Sequence, residues 1–317
     1  MSDVDVVILS LNRSEMTKDA VLSIVKQCQV KAVIWIIDQG STEDTLNLLH
    51  QLASDYSNVR LIELGRNVGI PAGRNIGMAC GQAPYIVSVD NDAVIENVYA
   101  LKYLVETFNT RPGVGIIGFR IMNYYTKKDD ELSWAYPKEL KRMRDNEFYT
   151  TRFAGGGHAL RRSIFNETGG YDESLFFYWE EVELSYKALN LGYQIIYDPK
   201  IILLHKVAPE SRVDWKNGRY YYLVRNAIYI NYKYYGRIDR VFLLSMGYIL
   251  KGIHNSLFNE AFKGVMDGIR MCRKVARVSK INDSTQNYIL KNEMCYRGSF
   301  FKRLRTEVFA YLPGRNN

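Results

Sequence analysis

The sequence lacks the features of several large protein classes. It has only four cysteines in 317 residues, with neither a C-x-x-C pair nor the spacing of a metal site. A disulfide scaffold and a structural zinc site are therefore not predicted. The longest apolar stretch near the C-terminus, residues 241–250, is about half as long as a bilayer-spanning helix. The first residues carry two acids and no basic segment, so a secretory signal is not expected.

Positive charge is scarce in the first two thirds of the chain and abundant in the last third. Residues 1–211 contain 22 Lys and Arg against 27 Asp and Glu, whereas residues 212–317 contain 20 against 7. The net charge of +8 therefore comes from the C-terminal segment. This asymmetry predicts an anionic partner for that segment, either a membrane surface or a nucleic acid.

Tyrosines recur at helical spacing between Tyr220 and Tyr235, interleaved with Arg and Lys. Such a stripe is most often part of a core, but the interleaved basic residues are also typical of a helix at lipid headgroups. The pattern is helical, unlike the sheets on which nucleic-acid bases stack. We therefore predict a cytoplasmic protein that is peripheral on the inner face of the cell membrane, with an anionic membrane surface and no nucleic acid as its partner.

Short apolar runs alternate with amphipathic runs through the first ninety residues. The predicted strands are Asp5–Ser10, Ala32–Asp38, Val59–Leu64 and Tyr85–Asp90, and the predicted helices are Ser14–Gln27, Thr42–Tyr56 and Ala72–Cys80. This alternation predicts βαβ units in a doubly wound α/β domain over residues 1–211. Further along, strands are expected at 115–122, 194–197 and 201–205, a helix at 180–191 and a mobile polar insertion at 123–150. Residues 212–317 are expected to form a basic, Tyr-rich helical region.

Polar side chains follow three of the predicted strands. Ser10 and Asn12 follow the first, Asp38 the second and Asp90 the fourth. In doubly wound sheets ligands bind beyond the carboxyl ends of the strands, so these side chains are predicted to line one edge. Asp90 and Asp92, two residues apart, suit a hard divalent cation such as Mg²⁺ or Mn²⁺ that also binds substrate phosphates. The same spacing occurs in acidic turns, so it is a weak signal alone.

Asp38 precedes the predicted N-cap Ser41 by three residues, and Asp44 stands three residues after Ser41. Helix capping explains Ser41 and Asp44. It does not explain Asp38, whose carboxylate is placed to accept N–H groups of a nucleobase.

A loop over residues 66–77 is rich in glycine, arginine and asparagine. Gly69 allows a close approach of the backbone, Asn67 precedes it, and Arg74 near a helix start suits phosphate oxygens. The loop is therefore a predicted donor-binding segment.

These segments, in this order, resemble the family 2 glycosyltransferases of the GT-A fold, and the rhamnosyltransferase-like bacterial members in particular. The segments are VILSLNR at 7–13, DQGST at 38–42, NVGIPAGRNIG at 67–77, DND at 90–92, GGYDE at 169–173, FYWEEVEL at 177–184 and His205. The resemblance covers about residues 4–211. It implies a doubly wound mixed sheet of the nucleotide-diphospho-sugar transferase type, here with a C-terminal helical extension.

The resemblance also implies roles for individual residues. Asp38 would contact the base of the donor, while Asp90 and Asp92 would hold Mn²⁺ or Mg²⁺ on its diphosphate. His205 would be a third metal ligand or a diphosphate contact. The rest of the donor site would be formed by Ser10, Asn12, Asn67, Gly69, Arg74 and Asn91.

On the acceptor side the resemblance implies a general base at Glu181. The family usually has Glu-Asp-x-Asp here, and this chain has Glu-Glu-Val-Glu, so Glu180 and Glu181 remain alternatives. Tyr178 and Trp179 are predicted to stack on a sugar, and their apolar walls would raise the pKa of a neighbouring carboxyl group. His158, beside three glycines, is a further predicted acceptor contact.

The predicted function is metal-dependent, inverting transfer of a sugar from a nucleoside diphosphate to a hydroxyl of a glycan or lipid-linked acceptor, as in surface polysaccharide or lipopolysaccharide biosynthesis. One alternative is a sugar nucleotidyltransferase. Such enzymes usually have a glycine-rich loop after the first strand, and residues 10–13 contain no glycine. Another alternative is a catalytically inactive sugar-nucleotide-binding relative, against which the intact carboxylate clusters argue.

Overall fold

A computed structural model describes residues 2–206, 215–275, 278–299, 302, 305 and 307–313. The strands are β1 (Val4–Ser10), β2 (Ala32–Asp38), β3 (Val59–Glu63), β4 (Tyr85–Asp90), β5 (Ala93–Ile95), β6 (Val114–Asn123), β7 (Phe148–Thr150), β8 (Gly157–Arg161) and β9 (Gln194–His205). The α-helices are α1 (Ser14–Val25), α2 (Glu43–Asp55), α3 (Ile70–Cys80), α4 (Ala100–Thr110), α5 (Arg162–Thr168), α6 (Glu180–Asn190), α7 (Tyr220–Tyr235), α8 (Ile238–His254), α9 (Phe258–Cys272) and α10 (Asp283–Asn292). The predicted domain boundary at residues 211 and 212 lies outside the described residues.

The strands form one mixed sheet in the order β3-β2-β1-β4-β8-β6-β9-β5, with β7 pairing to β9. The first four neighbours run parallel, whereas β8 runs antiparallel to both β4 and β6. Helices cover both faces: alternate β1 residues, such as Val6 and Val7, enter two separate cores. One core is shared with α1, α2 and α4 and the other with α3, α5 and α6. The predicted doubly wound α/β fold is confirmed.

The register of the parallel strands brings the predicted polar strand ends together. Ser10 pairs with Asp38, and Leu9 pairs with Asp90. Because all three strands run in the same direction, their carboxyl ends open onto the same edge of the sheet. The predicted alignment of Ser10, Asp38 and Asp90 along one edge is confirmed.

The prediction of a mobile insertion at 123–150 is wrong, because this segment has a packed core of its own. Tyr136, Leu140 and Phe148 are buried against Tyr197 of β9. Polar residues of the segment form ion pairs: Asp129 pairs with Arg144 of the same segment and with Arg120 of β6. The two strands predicted at 194–197 and 201–205 form the single strand β9, whose pairing with β6 shifts register midway.

No tyrosine of α7 is exposed, since Tyr220 and Tyr234 are buried and the others half-buried, which corrects the prediction of an interfacial helix at 220–235. One side of α7 packs on α9 through Tyr220, Val224 and Ile228, and its other side contacts the sheet domain through Ile230 and Tyr234. The approach of α9 is so close that a Cβ added at Gly264 would lie 2.9 Å from the backbone oxygen of Tyr221. No helix in the described part of the chain combines the length and apolarity needed to cross a membrane.

Candidate active site

The carboxyl ends of β1, β2 and β4 open onto a cleft of about 620 Å³. It is lined by Leu9, Ser10, Leu11, Arg13, Gln39, Asn67, Gly69, Ile70, Asp90, Asn91, Asp92, Phe176, Phe177, Tyr178, His205 and Arg219. Eight of these are predicted site residues: Ser10, Asn67, Gly69, Asp90, Asn91, Asp92, Tyr178 and His205. The sequence patterns of the donor side and of the aromatic segment therefore converge on one cavity.

Asp92 is a nearly buried carboxylate that contacts two basic side chains. The Nη1 atom of Arg13 donates to Oδ2 at 2.6 Å, and the Nε2 atom of His205 lies 3.2 Å from Oδ1. Burial acts to raise the pKa of Asp92, but the hydrogen bond from His205 and the charges of His205 and Arg13 lower it below the ordinary value on balance. Asp92 is therefore ionised at neutral pH, as a metal ligand must be.

His205 lies between two carboxylates. Its Nδ1 atom is 3.0 Å from Oδ2 of Asp130, while Nε2 faces Asp92. The antiparallel pairing of β5 with β9 sets His205 opposite Ala93, next to Asp92. A neutral imidazole has one N–H and one lone pair, so it satisfies only one of two carboxylates. A second proton, or a cation near Nε2, resolves this conflict, and an Asp on the other ring nitrogen is the usual arrangement behind a metal-binding histidine.

Asp90 is more exposed than Asp92, and Arg74 orients its side chain. Its side chain is 42% exposed and accepts a hydrogen bond from Nη2 of Arg74 at 3.1 Å. Arg74 itself is 2% exposed, and the same nitrogen donates to the carbonyl of Gly155 at 2.7 Å. Arg74 thus lies beneath the cleft and holds Asp90, instead of facing the cleft as a phosphate contact would.

Glu180 and Glu181 begin α6 close to Arg74 and Asp90. Burial, and next the charge of Glu181, raise the pKa of Glu180 to about 8. Burial also raises the pKa of Glu181 above its ordinary value, opposed mainly by the charge of Arg74. Both residues therefore retain a proton to a higher pH than a solvated glutamate does.

The glycine run 155–157 separates the carboxylate of Glu181 from that of Asp90. A Cβ added at Gly155 would collide with Oε1 of Glu181, and one added at Gly156 would lie 3.2 Å from Oδ2 of Asp90. Two adjacent backbone positions therefore contact two different carboxylates. Any side chain larger than hydrogen would displace one of them.

Phe176–Trp179, here called the aromatic loop, has a strained backbone. Phe176, Tyr178 and Trp179 have positive φ angles of 63°, 67° and 73°. Each such conformation costs roughly 1 kcal/mol or more for a residue with a side chain. Gly69 packs against this loop so closely that an added Cβ would lie 2.6 Å from the carbonyl oxygen of Phe176. Glycine is therefore needed at position 69 both for its own φ of 88° and for the close approach of the aromatic loop.

Helix α7 holds the aromatic loop through Asn226, which is fully buried. The side-chain amide nitrogen, whose two hydrogens are shared among them, lies within hydrogen-bond distance of three backbone carbonyls, those of Leu175, Phe177 and Tyr178, at 2.9, 2.7 and 2.8 Å. Trp179 adds a bond from its indole N–H to the carbonyl of Leu223, 3.1 Å away. These bonds offset the backbone strain. Asn226 was not predicted, and an Asn in a tyrosine-rich helix gives no sequence signal for this role.

The remaining predicted residues lie outside the cleft lining. Asp38 is buried and accepts hydrogen bonds from the backbone N–H groups of Gly40 and Ser41, at 2.9 and 3.0 Å, and from the Ser41 hydroxyl. The N-cap of α2 is Thr42 and not the predicted Ser41. Asn12 accepts from the N–H of Thr42 at 3.0 Å, so these residues fix the shape of the loop after β2. In that loop it is Gln39, which was not predicted, that reaches the cleft.

Two predicted acceptor contacts are placed differently from the expectation. His158 is fully buried in β8, where Nε2 lies 2.6 Å from the hydroxyl of Tyr171. Burial and the charge of Arg74 lower the pKa of His158 well below its ordinary value. It is therefore a neutral core residue, and the prediction that it contacts substrate is wrong. Trp179 packs toward α7, so only Tyr178 of the predicted aromatic pair lines the cleft.

Comparison with known proteins agrees with this geometry. The family model for glycosyl transferase family 2 matches residues 5–169, more than half of the chain. The chain belongs to glycosyltransferase family 2.

Two relatives of known class align with this family 2 chain. It is 23% identical over 227 residues to the poly-beta-1,6-N-acetyl-D-glucosamine synthase of Staphylococcus aureus, an alignment that covers 68% of this chain and 54% of the synthase. It is 23% identical over 188 residues to the O-antigen chain rhamnosyltransferase WbaN of Salmonella anatum, covering 57% of this chain and 58% of the transferase. The chain thus spans little more than half of the length of these two relatives.

A solved structure supports the fold assignment. The mannosyltransferase PcManGT from Pyrobaculum calidifontis is 15% identical, with a TM-score of 0.57 over 97% of this chain and 85% of that one. At this identity the likeness concerns the fold alone. The family 2 chain therefore has a GT-A fold, with helices added at its C-terminus.

The cleft of this family 2 member fits a divalent cation. Asp90, Asp92 and His205 offer carboxylate oxygens and an imidazole nitrogen from one side of the cleft. Among the described residues, no three such side chains already stand together as a complete metal site. Mg²⁺ is usually held by one or two carboxylates, while substrate phosphates complete its coordination. With substrate phosphates completing the coordination, Asp90 and Asp92 would be enough protein ligands for such a cation.

The Asn226→Ala variant is expected to loosen the aromatic loop, because three carbonyl contacts disappear while the strained backbone remains. Losing these bonds lowers the local opening free energy by about 1–3 kcal/mol, which corresponds to roughly 5–150-fold faster amide exchange. Hydrogen exchange of residues 175–180, followed by mass spectrometry, measures this effect. Asn231→Ala is the matched control, because Asn231 is also buried in α7 but, among the described residues, donates only to Ala227 of its own helix. Equal exchange in the two variants would refute the holding role of Asn226.

Proposed function

We propose that this protein is a metal-dependent, inverting glycosyltransferase that transfers a sugar from a nucleoside diphosphate to a hydroxyl of a glycan or lipid-linked acceptor, in surface polysaccharide or lipopolysaccharide biosynthesis. The observation that carries the proposal is the contact of Asp90 and Glu181 with adjacent glycines, Gly156 and Gly155. A carboxylate suited to the leaving group, Asp90, and one suited to the incoming hydroxyl, Glu181, thus lie against two neighbouring glycines of the backbone. Inverting transfer requires these two functions in one site.

The donor side would use the strand-end residues. Asp90, Asp92 and His205 would hold Mn²⁺ or Mg²⁺, which when bound neutralises charge on the departing diphosphate. Ser10 lines the cleft, and its hydroxyl is buried without a partner among the described residues, so it is suited to a polar ligand. In support, the structure of the mannosyltransferase PcManGT was solved with GDP-Man and Mn²⁺.

The acceptor side would use Glu181 as general base. The acceptor hydroxyl gives its proton to Glu181, its oxygen forms the new bond to the anomeric carbon, and the bond from that carbon to the diphosphate breaks. Glu180, with a pKa raised to about 8, is neutral at physiological pH and adds no second charge beside the base. The charge of Arg74 opposes the rise in pKa of both glutamates, so it is the protonated state of Glu180 that leaves Glu181 for this role.

We also propose that the protein is cytoplasmic and works at the inner face of the cell membrane. The excess of basic residues in 212–317 supports an anionic lipid partner. The names of two relatives, a poly-beta-1,6-N-acetyl-D-glucosamine synthase and an O-antigen chain rhamnosyltransferase, support a glycan chain as the acceptor.

The Asp92→Ala variant is expected to lose sugar transfer by at least about 100-fold, because a ligand of the cation and the partner of Arg13 disappear together. Release of nucleoside diphosphate from a sugar-nucleotide donor in Mn²⁺ buffer measures this. Asp145→Ala is the matched control, because Asp145 is 73% exposed and pairs with Arg120 away from the cleft. Activity of Asp92→Ala close to that of Asp145→Ala, with Asp92→Ala still folded, would contradict the metal role.

The Glu181→Gln variant is expected to lose transfer by about 10²–10⁴-fold while it still binds donor, because only the proton acceptor is removed. Glu180→Gln should stay within a few-fold of the wild type at pH 7, where Gln mimics the protonated acid. The raised folded-state pKa of Glu180 means that wild-type stability is lost as pH rises from about 4.5 to about 8. Glu180→Gln should therefore lose less stability in urea unfolding between pH 5 and pH 8.5. Greater damage to transfer from Glu180→Gln than from Glu181→Gln would reverse the assignment.

A further inference from the structure

Helix α8 turns apolar side chains away from the protein. Phe242, Leu243, Met246, Leu250 and Ile253 are 62%, 66%, 47%, 45% and 57% exposed. Their spacing of three or four residues places them on one face. The opposite face is buried through Ser245 and Gly252. This is the reverse of the usual surface helix, whose polar face points outward.

Helix α9 continues the same pattern. Phe258, Phe262 and Met266 are 48%, 51% and 40% exposed at intervals of four residues, and the two phenyl rings stack with centroids 6.1 Å apart. Only residues 255–257 separate α8 from α9, and a Cβ added at Gly252 would lie 2.7 Å from Cβ of Ala261. The two helices are therefore a tightly packed hairpin. The eight exposed side chains on it are here called the apolar stripe.

Positive charge borders the apolar stripe. Arg237 and Arg240 are exposed at the start of α8, and Lys263 and Arg270 are exposed on α9. Two of these four side chains are in ion pairs with acids of the hairpin, Arg237 with Asp239 and Arg270 with Asp267. Residues 212–317 as a whole carry 20 Lys and Arg against 7 Asp and Glu. An apolar face with aromatic residues and a basic border is typical of helices that lie in the plane of an anionic membrane surface.

The hairpin is also joined to the cleft. The hydroxyl of Tyr220, at the start of α7, donates to the carbonyl of Tyr248 in α8 at 2.8 Å. Arg219, the residue before Tyr220, lines the cleft. A membrane surface bound by the hairpin would therefore be separated from the cleft wall by one helix, α7.

We propose that the α8–α9 hairpin seats this protein on an anionic lipid bilayer. The apolar stripe enters the headgroup region, and the bordering Arg and Lys side chains meet the lipid charge. Neither helix spans the bilayer, so the attachment is in-plane and reversible. This inference rests on the proposed function at a membrane-borne acceptor, and it names the surface that makes the contact.

The test is co-sedimentation of the full chain with vesicles of phosphatidylglycerol and phosphatidylcholine in equal parts, and with vesicles of phosphatidylcholine alone. The wild type should bind the anionic vesicles, and binding should weaken in high salt. A Phe242→Ser/Phe262→Ser double variant should bind at least tenfold more weakly. The matched control, Tyr99→Ser/Leu191→Ser, removes two side chains of similar exposure, 49% and 41%, outside the hairpin and should bind like the wild type.

A wild type that fails to bind anionic vesicles overturns the inference, whatever the variants do. Equal weakening in both double variants overturns it as well. Light scattering tests whether a second copy of the chain covers the apolar stripe instead of a membrane. A wild-type dimer that the hairpin variant converts to monomers, without vesicle binding, would assign the apolar stripe to that second copy. A Mn²⁺-dependent thermal shift with nucleoside diphosphates keeps the two claims separate. Its presence in a protein that ignores vesicles refutes only the docking surface, and its absence in a protein that binds vesicles refutes only the proposed chemistry.

Discussion

The parallel register of β1 with β2 and β4 is the constraint on which the candidate site depends. It sets Ser10 beside Asp38 and Leu9 beside Asp90, so three loops leave the sheet at one edge. A shift of one residue in β1 would turn its side chains to the opposite face. It would also remove the buried Asp5 from Arg162 and from the N–H of Ala83, which is costly for a buried charge. The pairing of Asp5 therefore helps to fix the register and, with it, the position of the carboxylates.

The C-terminal helices are part of the site and not an appendage to it. Helix α7 holds the aromatic loop through Asn226, and Lys233 of the same helix reaches Asp172 and the fully buried Glu183, at 2.7 and 2.8 Å. Burial acts against the charge, but Glu183 and Asp172 together hold the pKa of Lys233 above its ordinary value. Breaking one partner of such a buried network is strongly destabilising. The entry of the chain into α6, and with it Glu181, is therefore fixed by residues some fifty positions later in the chain.

Features that local pattern determines were predictable from the sequence, whereas features set by long-range packing were not. Strand and helix alternation, together with acids at strand ends, gave the sheet, its ligand edge and the Asp90–Asp92 pair. The roles of Arg74, Asp130 and Asn226 depend on partners far away in the chain. The types of these residues and their spacing in the sequence therefore do not indicate those roles. His158 was predicted to contact the acceptor from its place beside three glycines, but it is buried in β8 inside the sheet. The apolar run at 241–250 does not predict the outward face of α8, because an apolar helix face usually packs on a core.

The proposed chemistry requires that Asp90 and Asp92 bind a cation together with the diphosphate of a nucleotide. The most direct test is a thermal-unfolding panel of uridine, thymidine and guanosine diphosphates, each with Mn²⁺ and with a chelator in its place. Ligands that bind only the folded state raise the unfolding temperature. At least one nucleotide is expected to raise the unfolding temperature in Mn²⁺, and the chelator is expected to abolish this shift. No shift with any nucleotide, or an equal shift with and without Mn²⁺, would contradict it.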